Sequence, residues 1–509
     1  MRSNPTPTTA TARPVRGALP WRRRAISQPL SFADRMLAST NIEVAVRELC
    51  AVHGGGAFLG LAGARPVCAN QEHAVLVLGA PRSGKTSSVV IPSVLTCRGA
   101  LVSTSTKTDV RDATVRSRAR LGRVWAFDPT GEADVPAHMN ELRWSPVAAA
   151  ARWDDALHTA RAMTLTAPAV GRGTEGQHHW AERAAALLAP LLHAGYKSGA
   201  GIEEVLTWVL LHDVERPGDI LQTAGATVAC NVLLGIARTD ERERSSIFSA
   251  TAGVLALYNT DAARKAASTP NFDPDLFANS TDTIYITAPA HRQALCAPLV
   301  VGLLEQIRHS TYRRAASHPD GPPVFFSLDE VANIAPIHDL PALVSEAGGQ
   351  GLHVMACLQD LSQARTRWGD HAADGFLTLF QTKLVLPGIS DPRTLEALSL
   401  VLGEIDRPMP STTTAVSETR TFAWMAPPTT TRSHSVGYNT VRQRRVPPGE
   451  IAAIPKGRGM LISGPNRQRL RLTPYHACEP WRTLTQAAGA LPAAAGSASY
   501  PDHDAPPVA

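Results

Sequence analysis

The sequence predicts an α/β fold, a central mostly parallel sheet interrupted by an all-helical insertion domain. Three observations carry that expectation. Strand-length apolar runs recur at 75–78, 100–104, 324–328 and 352–358, the near-continuous hydrophobic pattern of strands buried on both faces of a parallel sheet. Two of these runs end in residues suited to polyanions and cations, one in a glycine-bearing turn and one in Asp329-Glu330. Between Pro146 and about Asn279 strand signals disappear, and Ala/Leu-rich amphipathic runs replace them from Trp180 to Tyr196, Ile202 to His212 and Arg244 to Tyr258.

Residues 1–70 read as a basic, partly disordered segment with some helix. Arg13, Arg16 and Arg22-Arg23-Arg24 lie in Pro/Thr-rich sequence with no apolar signal core. They read as a solvated tail, with acidic headgroups or DNA as the alternative. The apolar stretch from Ala57 to Gly63 is far short of the roughly 20 residues that cross a bilayer, so the chain reads as soluble and cytoplasmic.

The next element is Val75-Leu76-Val77-Leu78 followed by Gly79-Ala80-Pro81-Arg82-Ser83-Gly84-Lys85-Thr86, which fits the phosphate-loop pattern G-x-x-x-x-G-K-[ST]. Glycines let the backbone curl so that its N–H groups surround phosphates, while Lys85 supplies a point charge and Thr86 a hydroxyl for magnesium. The candidate cofactor-binding set is Gly79, Arg82, Ser83, Gly84, Lys85, Thr86 and Ser87, with ATP and Mg²⁺ as the expected cofactors. A helix should follow, its positive N-terminal end toward the anion, with Pro92 kinking it or limiting its start.

The run Val324-Phe325-Phe326-Ser327-Leu328 ends in Asp329-Glu330 and is punctuated in front by Gly321-Pro322-Pro323. It reads as the second half of a nucleotide site. Thr86 and Asp329 are the candidate metal ligands, and Glu330, Lys85 and Gln359 the candidate catalytic residues. Glu330 would polarise a water, because phosphoryl transfer depends on positioning and charge stabilisation. Gln359 closes the run Leu352 to Leu358 and offers a donor and an acceptor toward a terminal phosphate; a surface glutamine closing a strand is the alternative. Lys107 follows Ala100–Thr104 at an expected strand end, where ligand crevices of parallel sheets open, and solvated surface is its other reading.

Composition narrows the classes. With 509 residues, 44% apolar and 18% charged, the chain holds two or three globular domains. A net charge of +6 tilts toward polyanionic partners, including DNA bound without sequence preference. Seven scattered cysteines, odd in number, suit a reducing compartment. The histidines, His178-His179 included, lack ligand spacing and suggest no zinc site.

The phosphate loop, Ser105-Thr106-Lys107-Thr108-Asp109, Val124-Trp125-Ala126-Phe127-Asp128-Pro129, Trp144-Ser145-Pro146, Leu328-Asp329-Glu330, the run from Leu358 to Gln363, Pro387 to Thr394, Pro448-Gly449-Glu450-Ile451 and Gly459 to Gly464 occur in that order. Together they resemble the TraG/TraD-type coupling ATPases of conjugative type IV secretion, over roughly residues 72–476. The resemblance implies a RecA-like P-loop motor domain over 71–146 and 280–476, with the helical insertion, 147–279, on the cytoplasmic face. It implies a homo-hexameric ring that accepts relaxase-bound DNA and feeds it to the secretion channel. Two departures stand out. Relatives often carry an Asp-Pro-Lys-Gly type strand end where this chain has Ser105-Thr106-Lys107-Thr108, and they begin with transmembrane helices not found here. Attachment to the inner face of the plasma membrane is therefore expected through a partner or through a coding start further upstream.

Ring assembly places nucleotide at subunit boundaries, and Arg365, Arg367 or Arg393 is the candidate trans-acting arginine. Trp180 and Trp208 read as helix-packing residues. Residues 407–445 read as a long irregular loop in which Arg442, Arg444 and Arg445 contact DNA or line a solvated turn, and 477–509 as a disordered tail. Two further readings stand beside the coupling motor: an FtsK/HerA-type DNA translocase, and a nucleotide-binding secretion receptor or adaptor that does not hydrolyse.

Overall fold

The computed structural model describes residues 56–166, 174–419 and 429–486; Arg13, Arg16 and Arg22–Arg24 lie outside them. The strands, in chain order, are β1 (Phe58–Ala62), β2 (Arg65–Cys68), β3 (Val75–Leu78), β4 (Leu101–Ser105), β5 (Val124–Phe127), β6 (Asn140–Glu141), β7 (Thr283–Thr287), β8 (Val324–Leu328), β9 (Leu352–Leu358), β10 (Thr382–Val385), β11 (Glu404–Thr419), β12 (Thr429–Arg444), β13 (Arg458–Ser463) and β14 (Asn466–Arg471). Twelve of them form one sheet, ordered β2-β1-β14-β13-β10-β3-β9-β8-β4-β7-β5-β6. From β10 to β6 every pairing is parallel, whereas β13, β14, β1 and β2 add an antiparallel flank.

Every residue of β3, β4, β7, β8 and β9 is buried, because helices cover both faces of a parallel sheet. The period-two alternation of a strand divides the core. Leu76, Leu78, Val102 and Phe326 point into one apolar cluster, and Val75, Val77, Leu101 and Phe325 into the other. The second cluster is closed by helices α1 (Ile91–Thr96) and α2 (Asp109–Arg118), through Ile91, Val94, Val110 and Val115.

The first cluster continues into the helices between β6 and β7. The first two are α3 (Trp153–Thr164) and α4 (Thr174–Ser198), and no strand occurs there among the described residues. Leu187, Leu191 and Trp208 share this core with the sheet and with α5 (Gln293–Ser317). Trp208 is 2% exposed, while Trp180 is 37% exposed and packs only in part. Trp144 is a wedge of the same core. Its Nε1 donates to Gln306 Oε1 at 2.7 Å, and its ring lies where a Cβ on Gly302 would stand 2.7 Å from it, so α5 carries glycine at that point.

Three expectations are corrected. β1 and β2 fall inside the segment 1–70 that reads as a basic tail, yet they join the main sheet, since Phe58, Leu59 and Leu61 are fully buried. The described residues 404–419 and 429–444 do not form an irregular loop. β11 and β12 pair antiparallel over their whole length as a separate two-stranded sheet; β-branched residues supply the strand propensity, and exposure of nearly every side chain removes the apolar alternation that would have announced it. Finally, the tail expected to be disordered from 477 contains the helix Trp481–Gln486, anchored by Trp481, whose ring lies 4.3 Å from that of Phe58.

Candidate functional site

β3 delivers Gly79 to the carboxyl edge of the sheet, beside the ends of β9 and β10. The chain then passes over β9 and β8 to reach β4, and a crevice opens where such a crossover leaves two neighbouring strands running to one edge. Gly79 has no room for a side chain, since a Cβ there would meet Leu386 Cβ and Ser83 Oγ at 2.7 Å. Arg82 and Gly84 take positive φ, 62° and 98°, which curls the loop. Residues Thr86–Val90 wind as a π-helical turn before α1, with Pro92 at the second position of α1. Pro92 has no N–H to give and is tolerated there, so it limits the start of the regular helix as the sequence predicts.

Lys85 is 7% exposed, and its Nζ folds back to donate to Gly79 O and, at 3.3 Å, to Ala80 O. Thr86 Oγ1 donates to Asp329 Oδ2 at 3.0 Å, across 243 residues of sequence. The structure thus brings Lys85, Thr86, Asp329 and Glu330 to one point. Thr104 Oγ1, from the neighbouring strand β4, donates to the Asp329 carbonyl at 3.0 Å and fixes the backbone there.

Asp329 is 6% exposed and its Oδ1 has no hydrogen-bond partner among the described residues. Burial above all, and then the Glu330 charge, push its carboxyl up to about 6, against the pull of Lys85 and the Thr86 hydroxyl. An orphaned buried carboxylate oxygen beside a threonine hydroxyl, both hard oxygen donors, fits a magnesium ion. Glu330 has φ 56°, a conformation that costs a non-glycine residue on the order of 1–3 kcal/mol and clusters at functional sites. Its Oε2 accepts from Asn333 Nδ2 at 3.4 Å and it remains half-buried.

Gln359 follows β9, the strand lying between β3 and β8, so its position is intermediate between the phosphate loop and Asp329. Its N–H donates to Gln363 Oε1 at 2.8 Å. Lys107 is exposed beyond β4, at the same edge. Arg82 and Ser87 stand on the loop and the first helical turn, and Ser83 Oγ is buried without a hydrogen-bond partner among the described residues.

Sequence reasoning missed the support around this site. Ala80 N–H donates to Pro387 O at 3.4 Å, and Gly388 lies where a Cβ would stand 2.8 Å from that of Ala80, so the segment after β10 backs the phosphate loop. That segment leads into α7 (Pro392–Leu402), capped by Asp391, which accepts from Thr394 N at 2.9 Å. Asp391 also pairs with Arg365 of α6 (Leu361–Trp368), and Leu361 N–H donates to Thr394 Oγ1 at 3.1 Å. The signal was present as a cap-and-proline pair, Asp391-Pro392. All three candidate trans arginines have partners within the chain, and two of them are turned inward: Arg365 with Asp391, and Arg367 with Thr166 O at 2.8 Å. Arg393 is 61% exposed and pairs with Asp370 at 3.1 Å. Of the arginines expected to contact DNA or to line a solvated turn in the 407–445 segment, Arg442 and Arg444 both pair with Glu404.

A parallel sheet with a phosphate loop after one strand, an acidic pair after another and a glutamine after the strand between them defines a RecA-like P-loop protein. The particular family follows from the sequence model described as type IV secretory system conjugative DNA transfer, which matches residues 35–467; the chain belongs to that family. Among solved structures it is similar to the bacterial conjugative coupling protein TrwBΔN70 in its unbound monoclinic form, with a TM-score of 0.59 and 19% identity over 82% of this chain and 88% of that one. The plasmid coupling protein TrwB in complex with ADP and Mg²⁺ gives 0.57 and 20% identity over 79% and 86%. TrwB with the ATP analogue ADPNP gives 0.57 and 20% over 79% and 85%. No curated protein matches at the sequence level. Among the described residues no helix is long and apolar enough to cross a membrane.

Proposed function

We propose that the chain is an ATP-hydrolysing coupling protein that recruits relaxase-bound DNA and drives it into a conjugative type IV secretion channel, working as a homo-hexameric ring at the inner face of the plasma membrane. The observation that carries the nucleotide half is the 3.0 Å contact of Thr86 with Asp329, which joins the phosphate loop to the acidic strand end. Family membership supports the conjugative half, and TrwB, which shares the fold, has been solved with ADP and Mg²⁺ and with ADPNP.

Each residue then has a task. The loop from Gly79 to Thr86, with Ser87, turns its amides toward the phosphates, Arg82 and Ser83 line the loop, and Lys85 exchanges its carbonyl partners Gly79 and Ala80 for outer phosphate oxygens. Thr86 and Asp329 would hold Mg²⁺. When bound, magnesium neutralises charge developing on the phosphate oxygens. Glu330, aimed by its left-handed backbone, orients and polarises the attacking water, and Gln359 reports the terminal phosphate to α6, which the Arg365–Asp391 pair ties to the segment behind the phosphate loop. Arg393 is the exposed candidate for a neighbouring subunit's site.

The test is ATP turnover by the full chain with and without single-stranded DNA, with GTP run in parallel because TrwB is also known with GDPNP. Turnover should rise with DNA, and Lys85→Ala should lower it by at least about 10²-fold, the loss seen when one preorganised charge donor is removed. Equal turnover in Lys85→Ala would remove the site assignment, and a parent inactive with DNA would favour the adaptor reading.

A further inference from the structure

The helical stretch between β6 and β7 is entered through α3 and left toward α5, and these two helices pack against each other. Where they meet, one ligand atom each from His158 of α3 and Glu305 and His309 of α5 lie within 4.8 Å of one another. We propose that these three residues form a transition-metal site that clasps α3 to α5. The sequence shows no such spacing, because only the pair Glu305 and His309 is local; at i, i+4 it shares one helix face, and His158 arrives from a helix about 150 residues earlier.

The donors are arranged for it. Glu305 is 8% exposed, and His309 Nε2 lies 2.9 Å from its Oε1. The imidazoles of His158 and His309 lie side by side, with ring centroids 4.4 Å apart and planes tilted by 41°. Tetrahedral zinc with bonds of about 2.0–2.1 Å needs donors closer than this; His158, being exposed, swings in to close the gap, and water completes the shell.

The surroundings select the ion. Arg308 donates to Glu305 Oε1 at 2.5 Å and to Asp339 Oδ2 at 2.9 Å, so the carboxylate is held in place while Asp339 balances the guanidinium charge beside it. A site with two imidazoles and one shared carboxylate is poor for magnesium or calcium, which seek several oxygens, and suits zinc, cobalt or nickel. The bond would close the chain across the helical stretch and hold it against the helix that covers the sheet.

The experiment is Co²⁺ titration of the full chain, stripped with EDTA and free of nucleotide, read by visible d–d absorption and melting temperature, with Zn²⁺ as competitor. One Co²⁺ per chain is expected, with a visible band that Zn²⁺ removes, excess Mg²⁺ leaves, and a raised melting temperature. His158→Ala, at an exposed position, and Glu305→Gln should lose band and shift. Thr86→Val should keep both, which separates this site from the phosphate loop. Absence of the band, or Co²⁺ binding of equal strength in His158→Ala and His309→Ala, overturns the proposal.

Discussion

Asp329→Asn should stabilise the nucleotide-free protein while removing the proposed magnesium site. In the folded chain the Asp329 carboxyl is pushed from 3.8 up to about 6, by burial and then by Glu330. A folded pKa above the unfolded one means that the folded state holds the proton more tightly, so stability falls as pH rises from about 4 to about 6 and is level above that. At ~1.36 kcal/mol per pH unit, ionising Asp329 costs the empty protein ~3 kcal/mol at neutral pH. Asparagine keeps the shape, still accepts from Thr86 Oγ1 and carries no charge. Urea denaturation in EDTA should therefore show the variant more stable by up to ~3 kcal/mol at about pH 7.5, with the gain shrinking toward zero near pH 4. The same variant should lose Mg²⁺-dependent nucleotide binding. A variant no more stable than the parent at neutral pH, or a gain independent of pH, would refute the account of a charge held in reserve for a cation.

Two further perturbations probe the surroundings. Trp208→Ala empties a side chain that is 2% exposed in the core shared by the helical stretch and the sheet, and urea midpoints should report a loss of ~3–5 kcal/mol. Arg365→Ala removes the partner of Asp391, whose side chain is 18% exposed; the lost charged hydrogen bond predicts a fall of ~1.5–3 kcal/mol and slower ATP turnover at unchanged nucleotide affinity, measured by steady-state kinetics.

Much of the fold was legible in the sequence because the relevant physics is local. A strand buried on both faces must be apolar throughout, so β3, β4, β8 and β9 announced themselves. A phosphate loop needs its glycines and lysine at fixed spacing, so Gly79 to Thr86 did too. The hairpin β11–β12 was hidden because strand periodicity shows only when one face is buried, and here both are wet. The flank strand β1 and the anchor Trp481 were hidden for the opposite reason: each is buried against the other, and neither segment alone is long or patterned enough to declare a partner.

The chain's own letters determined which chemistry it carries: a glycine-bearing turn for phosphates, two acids after a buried run, a glutamine after another. Tertiary structure alone decided which of those groups meet. It set Thr86 on Asp329 across 243 residues, turned Arg365 and Arg367 inward, and gathered His158 with Glu305 and His309. The reason is that spacing along a helix or strand follows from backbone geometry, whereas contact between distant segments follows from how whole faces pack, and one short motif carries little of that information.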